Sequence, residues 1–285
     1  STCTVLIGMP DQCVSFNSCP NLNSMCIDDE AIPLFEDYFS AVLTNYCSFT
    51  PGGNYNTIAG TVTFDANNNG CDSNDIFQPN IRINISDADS NTGASFTNSN
   101  GGYSFYTQQG SFTVTPNVEN LPWFTFLPES ATIPFADNNN NIVTQNFCIT
   151  ANGIHPDVEV VIAPLSTARP GFDAIYKVVY KNKGNQTLSG NVMFVYDDEV
   201  LDFVSSDVTP TSQSFGILSY DYTNLLPFEN RSFTITLNVN ATTDNPAVNI
   251  GDHLTFNAAV NPIVGDENSS DNEFQYHQTV VGSFD

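Results

Sequence analysis

Asp65, Asn67 and Asn69 stand at alternate positions in the stretch FDANNNGCDSND, residues 64–75, and Gly70, Cys71, Asp72 and Asp75 follow them. Carboxylate and carboxamide oxygens at that spacing are ligands for a hard cation. Counted from Asp65, they occupy positions one, three and five of a twelve-residue calcium loop. Gly70 falls at six, where such a loop turns sharply, and Cys71 at seven, where a backbone carbonyl ligates. Position twelve is Ile76, where the loop normally carries a bidentate glutamate, so Asp72 and Asp75 must substitute. A competing reading needs no ion, because Asn, Asp, Ser and Gly are also ordinary turn residues that satisfy nearby backbone groups. The spacing favours the cation, and we expect a structural Ca²⁺ held by Asp65, Asn67, Asn69, Asp72 and Asp75 with the carbonyl of Cys71.

Other chemistry is poorly signalled. There is no G-x-S-x-G nucleophile elbow, no phosphate-binding glycine loop and no H-E-x-x-H pair. His155 precedes a proline, and His253 and His277 lie in strand-like runs, so each reads as a solvated or half-buried residue and not as a base. Asp197 and Asp198 read as a solvated turn. The expectation is a protein without catalytic residues.

Composition narrows the partners. Six Lys and Arg stand against 31 Asp and Glu, a formal net charge of −25. Such a surface repels phosphates and anionic lipid, which argues against nucleic acid and against a direct membrane role. No apolar run approaches the ~18 residues of a membrane helix. Hydrophobic residues at 40% and 22 Phe supply enough apolar surface for cores. Seven cysteines with no C-x-x-C point to an oxidising compartment and away from zinc.

The elements that must position these residues are mostly strands. TIAGTVTFD, NIRINIS, GGYSFYTQ and GSFTVTP alternate apolar and polar residues between Gly, Asn and Pro, and NSNGGYSF reads as a hairpin. LPWFTFLP carries the only tryptophan, Trp123, read as a core-facing residue of a strand. ITANGIHPD, residues 149–157, reads as a linker. A second series of strands follows it, from DVEVVIAPL to FQYHQTVVG, in the pattern of a β-sandwich. Before the first series, residues 32–46 read as an amphipathic helix beginning at Pro33, with Leu34, Phe35, Tyr38, Phe39, Val42 and Leu43 on one face.

Several phrases carry a family resemblance. GTVTFDANNNGCDSND, PNIRINISD and NSNGGYSFYTQQGSFTVTP resemble the B-type repeat of bacterial surface adhesins, a prealbumin-like sandwich. CPNLNSMCIDDEAI, NYCSFTPGGNYNTIAG, NFCITANGIHPDVEV, ARPGFDAIYKVVYKNKGNQTLSGNV, LNVNATTDNPAVNIGD and the closing VVGSFD resemble the C-terminal half of leucine-rich-repeat surface proteins exported by type IX secretion. The resemblance implies a mostly β chain: residues 1–50 a leucine-rich-repeat end cap with one helix, 51–150 a prealbumin-like sandwich, and 151–285 an immunoglobulin-like sandwich. It implies an extracellular, cell-surface, structural or adhesive protein whose β domains act as a stalk presenting the repeats to protein or glycan partners. Alternatives are an accessory subunit of an outer-membrane assembly, or a glycan-binding module using Trp123, Tyr103 and Tyr106. Some prealbumin-like repeats are locked by a Lys–Asn isopeptide bond, but the only lysines are Lys177, Lys181 and Lys183, so residues 58–150 need another staple. Cys71 and Cys148 flank that domain, and a bridge between them is expected; the pairing of Cys3, Cys13, Cys19, Cys26 and Cys47 is left open.

Overall fold

A computed structural model describes residues 54–282 and the short strand segments 24–26, 42–44 and 46–47. The chain divides into two compact units, Ser1–Val118 with Phe126–Ile149, and Glu119–Thr125 with Thr150–Asp285.

The first unit is a β-sandwich, as its alternating runs predict. One four-stranded sheet runs in the order Ala131–Phe135, Gly110–Asn117, Arg82–Ser86, Thr92–Phe96. The other is built around Asn56–Asp65, which pairs antiparallel with Gly102–Thr107 and parallel with Ile142–Thr144. Period-two alternation sends Ile58 and Val62, Ile83 and Ile85, Tyr103 and Phe105, and Phe112 and Val114 inward, where all are buried. Fully burying side chains of this size stabilises by about 1.5–3 kcal/mol each. The predicted hairpin turns at Asn98–Gly101. Asn98 Oδ1 accepts from the amides of Asn100 and Gly102, and Gly101 sits at φ +68°, where a Cβ would meet the Val62 carbonyl at 2.7 Å.

The expected helix over 32–46 is not what its C-terminal part forms. Val42–Thr44 is a strand that pairs in parallel with Ser24–Cys26, and Tyr46–Cys47 pairs antiparallel with Tyr106 and Thr107. Local periodicity lost here to an available sheet edge, since β-branched and aromatic residues fit a pleated surface as well as a helix. The rest of that stretch, and residues 1–23, lie outside the described residues. Among the described residues there is no α-helix; Leu121–Trp123 forms a single 3₁₀ turn.

The second unit is also a sandwich of two antiparallel sheets. Four strands run in the order Val158–Pro164, Asp173–Asn182, Asn230–Val239, Leu201–Ser206. Five run Ser212–Ser214, Ile217–Leu225, Leu188–Val195, His253–Val260, Glu273–Thr279. Between them lies a continuous core including Tyr176, Val178, Val192, Phe194, Leu218, Ile235, Leu237 and Phe256, each fully buried. Tyr176 keeps its hydroxyl paired inside that core, 2.5 Å from Gln278 Oε1. The connection from Val260 to Glu273 is the loop that matters for the site.

Candidate metal centre

The six predicted ligands of the first unit share one loop, and four of them, Asp65, Asn67, Asp72 and Asp75, turn side-chain oxygens to the loop's own backbone. Asp65, buried at the end of its strand, accepts from the Asn69 amide on Oδ1 (3.2 Å) and the Gly70 amide on Oδ2 (2.7 Å). Asn67 Oδ1 accepts from Asn69, Asp72 Oδ1 from Asn74, and Asp75 Oδ2 from Asp72. Asn68 and Gly70 take positive φ, which lets the amides fold back. Cys71 is bonded through sulfur to Cys148, with Cα atoms 5.7 Å apart. The expected bridge is therefore present.

The aromatic candidates part company. Inward alternation on Gly102–Thr107 puts Tyr103 in the core, with its hydroxyl donating to the Gln145 carbonyl, so it is not a surface platform. Tyr106, one step out of phase, packs edge-on against Tyr55. Trp123 belongs to the second unit and closes a 3₁₀ turn, not a core-facing strand. Its ring stacks on that of His155, centroids 5.2 Å apart and 7° from parallel.

In the second unit a different set of acids converges. Among the described residues Asp157, Asp266 and Asp271 each bring one carboxylate oxygen within 4.8 Å of the others. Asp157 immediately precedes the strand Val158–Pro164. The turn at 182–185 draws it in, because the Lys183 and Gly184 amides both donate to its carbonyl. Gly184 permits this approach, since a Cβ there would lie 2.3 Å from the His155 carbonyl oxygen. Asn185 holds the same segment, donating from its backbone to the His155 carbonyl and accepting the His155 amide on Oδ1. The 261–272 loop docks from the other side. Val158 donates to Asp266 Oδ2 (2.9 Å), Glu267 to the Pro156 carbonyl and Val160 to the Asp271 carbonyl. His155 Nδ1 lies 2.7 Å from Glu267 Oε1.

Charge in this cluster is unbalanced. Lys183, only 12% exposed in its side chain, is shared by Asp271 (3.1 Å), Glu119 (2.9 Å) and Glu159 (3.4 Å). Burial alone would lower the pKa of its ammonium, but the hydrogen bonds to Glu119 and Asp271 and the charges of Glu159 and Glu119 raise it. The lysine therefore stays charged. Asp157 gains less from that charge. Burial first, then the charges of Asp271 and Asp266, push its carboxyl up to about 7 against the opposing pull of Lys183, with Glu159 adding to the rise. Like charges within 4.8 Å of one another repel, by at least roughly 3 kcal/mol per pair at an effective dielectric of ~20. Three buried oxygens here have no hydrogen-bond partner: Asp157 Oδ1, Asp271 Oδ1 and Asn272 Oδ1. Asn272 is fully buried, its Nδ2 donating to the Val158 and Val260 carbonyls and lying 3.3 Å from Asp266 Oδ2.

No family model matches the sequence, and no curated protein does. Solved structures match weakly. The BcpA major pilin subunit of Bacillus cereus is 10% identical over 80% of this chain and 70% of its own, with a TM-score of 0.31. A CARDB domain from Pyrococcus furiosus, solved in complex with di-metal ions, is 19% identical over 46% of this chain and 99% of its own, TM-score 0.33. The major pilin SpaD of Corynebacterium diphtheriae is 10% identical over 82% and 66%, TM-score 0.26. These neighbours are pilin-type and related β proteins, and at such scores the sandwich assignment rests on the strands described above.

Sequence reasoning missed this second cluster. It read residues 149–157 as a linker and singled out neither Asp266 nor Asp271. Val158 and Asp266, which the fold pairs, are 108 positions apart. The usable signals were the acid placed directly before an apolar strand and the Asn-Lys-Gly-Asn turn that closes on it.

Proposed function

We propose that this chain is a non-enzymatic part of an exported cell-surface protein. In this reading a prealbumin-like and an immunoglobulin-like sandwich form a stalk behind leucine-rich repeats exported by the type IX route. The observation that carries it is the Cys71–Cys148 disulfide, which closes a span of 77 residues in a unit without lysine and belongs to an oxidising exterior. The repeats are supported by the ladder of Ser24–Cys26 with Val42–Thr44. Its strands are parallel and its partners eighteen residues apart, as when one repeat stacks on the next. Partners would be proteins or glycans at the surface. Cell fractionation with external protease, followed by alkylation and peptide mapping, tests the proposal. Protease-accessible chain carrying the oxidised Cys71–Cys148 peptide is expected. Recovery inside the cell with both thiols free would overturn it.

A further inference from the structure

We propose that Asp157, Asp266 and Asp271, with Asn272 beside them, form a calcium site that clamps the first strand of the second unit to the loop between its last two strands. The convergence of three carboxylates alone does not establish this, since exposed acids cluster without an ion. The deciding observation is that three of the acceptor oxygens, on Asp157, Asp271 and Asn272, are buried and unanswered, while Asp266 already accepts the Val158 and Asn268 amides. Asp157 is 1% exposed and Asn272 0%, and each aims an oxygen at no donor, as does Asp271. A buried water could supply hydrogens to such oxygens but no charge. The only ammonium at hand, Lys183, is already divided among Glu119, Glu159 and Asp271. A divalent cation answers both needs at once.

The donor set selects the ion. Every candidate ligand is a carboxylate or carboxamide oxygen, with no thiolate, and the nearby imidazole of His155 is engaged by Glu267 and Trp123. Hard oxygen ligands favour Ca²⁺ or Mg²⁺ over zinc. Ligands drawn from a strand end and a separate loop suit Ca²⁺, which accepts irregular oxygen coordination, better than Mg²⁺, which demands a near-ideal octahedron and keeps its waters. The ion would lie where the two sheets meet, because Asp157 leads into the four-stranded sheet and Asp266 and Asp271 belong to a connection of the five-stranded one. The inference stands on this geometry and is independent of the surface location proposed above.

Trp123 offers a local reporter. It is the only tryptophan, and it stacks on His155, two residues before Asp157. The full oxidised chain is stripped with chelator and titrated with Tb³⁺ while tryptophan is excited, and its thermal unfolding is followed with Ca²⁺ and with chelator. Sensitised Tb³⁺ emission that excess Ca²⁺ competes away is expected. So is a rise in Tm of roughly 5–10 °C at a hundredfold excess of Ca²⁺ over its Kd. Asp157→Asn keeps the shape and removes the charge. In chelator it should unfold no lower than the native chain, while its Tb³⁺ affinity falls at least tenfold and its Ca²⁺ shift disappears. Asp271→Asn should lose the same responses, and Asp65→Ala should keep them. No emission and no shift in the native chain would overturn the proposal. So would an equal Ca²⁺ shift in the native chain and in Asp157→Asn, or a response lost in Asp65→Ala alone.

Discussion

The two acidic regions of this molecule use the same residue types and arrive at opposite states. The loop at 65–75 is one continuous segment; Asp65, Asn67 and Asp72 accept amides from residues two to five positions along the chain, and Asp75 accepts one from three positions back. The cluster around Asp157 is assembled from separate segments whose amides are largely spent on strand pairing and docking, and three of its oxygens go unanswered. A contiguous polar loop can cap itself. A site made by topology has only what the fold delivers, and here the fold delivers three carboxylates and one ammonium that Glu119 and Glu159 also share.

The comparison can be broken most forcefully at the first unit's staple. Cys71→Ser should destabilise that unit by ~4–5 kcal/mol on the chain-entropy model for a loop of this length. Denaturant unfolding with and without reductant measures it, and the second unit's Ca²⁺ response should survive. A loss of that response would show that the two regions are not separable.

The next effect is in pH. In chelator, Asp157 titrates near 7 when folded and near 3.8 when unfolded, so the folded state binds the extra proton between those values. Its contribution is fully present below about pH 4 and is lost as pH rises through 7, a change on the order of 4 kcal/mol. Asp157→Asn should flatten that part of the stability profile. An unchanged profile would mean that Asp157 is not the group under strain.

The smallest effect is at Asp65. Removing its carboxylate in Asp65→Ala takes two amide contacts from the turn and should cost about 1–2 kcal/mol. That loss should be equal in Ca²⁺ and in chelator if the loop is held by its own amides. Thermal unfolding in both conditions reads it, and a loss confined to Ca²⁺ would support the ion expected from the spacing of the 65–75 loop.

How far the sequence could be read follows the same division. The strands 82–86, 102–107 and 110–117 were legible because alternation and turn residues are local. The Cys71–Cys148 bridge was legible because its ends flank one unit. The helix expected over 32–46 failed where Val42–Thr44 and Tyr46–Cys47 found strand partners that no local pattern reveals. Trp123 was assigned to a core strand, yet the segment Glu119–Thr125 joins the second unit. Its anchors, His155, Lys183 and Asn185, all lie downstream. Asp157, Asp266 and Asp271 were invisible for that reason too, since their meaning exists only once two sheets are closed.

The disulfide also has a mechanical consequence. A chain pulled from its ends transmits force through covalent bonds, and the link from Cys71 to Cys148, 77 positions apart, takes the chain between them out of the load path. At ~3.3–3.6 Å per extended residue, roughly 260 Å of contour stays hidden however hard the unit is drawn. Of the first sandwich's strands, Tyr46–Cys47 and Asn56–Asp65 lie wholly ahead of that link, so under tension they can peel away while the other sheet remains a closed knot of chain.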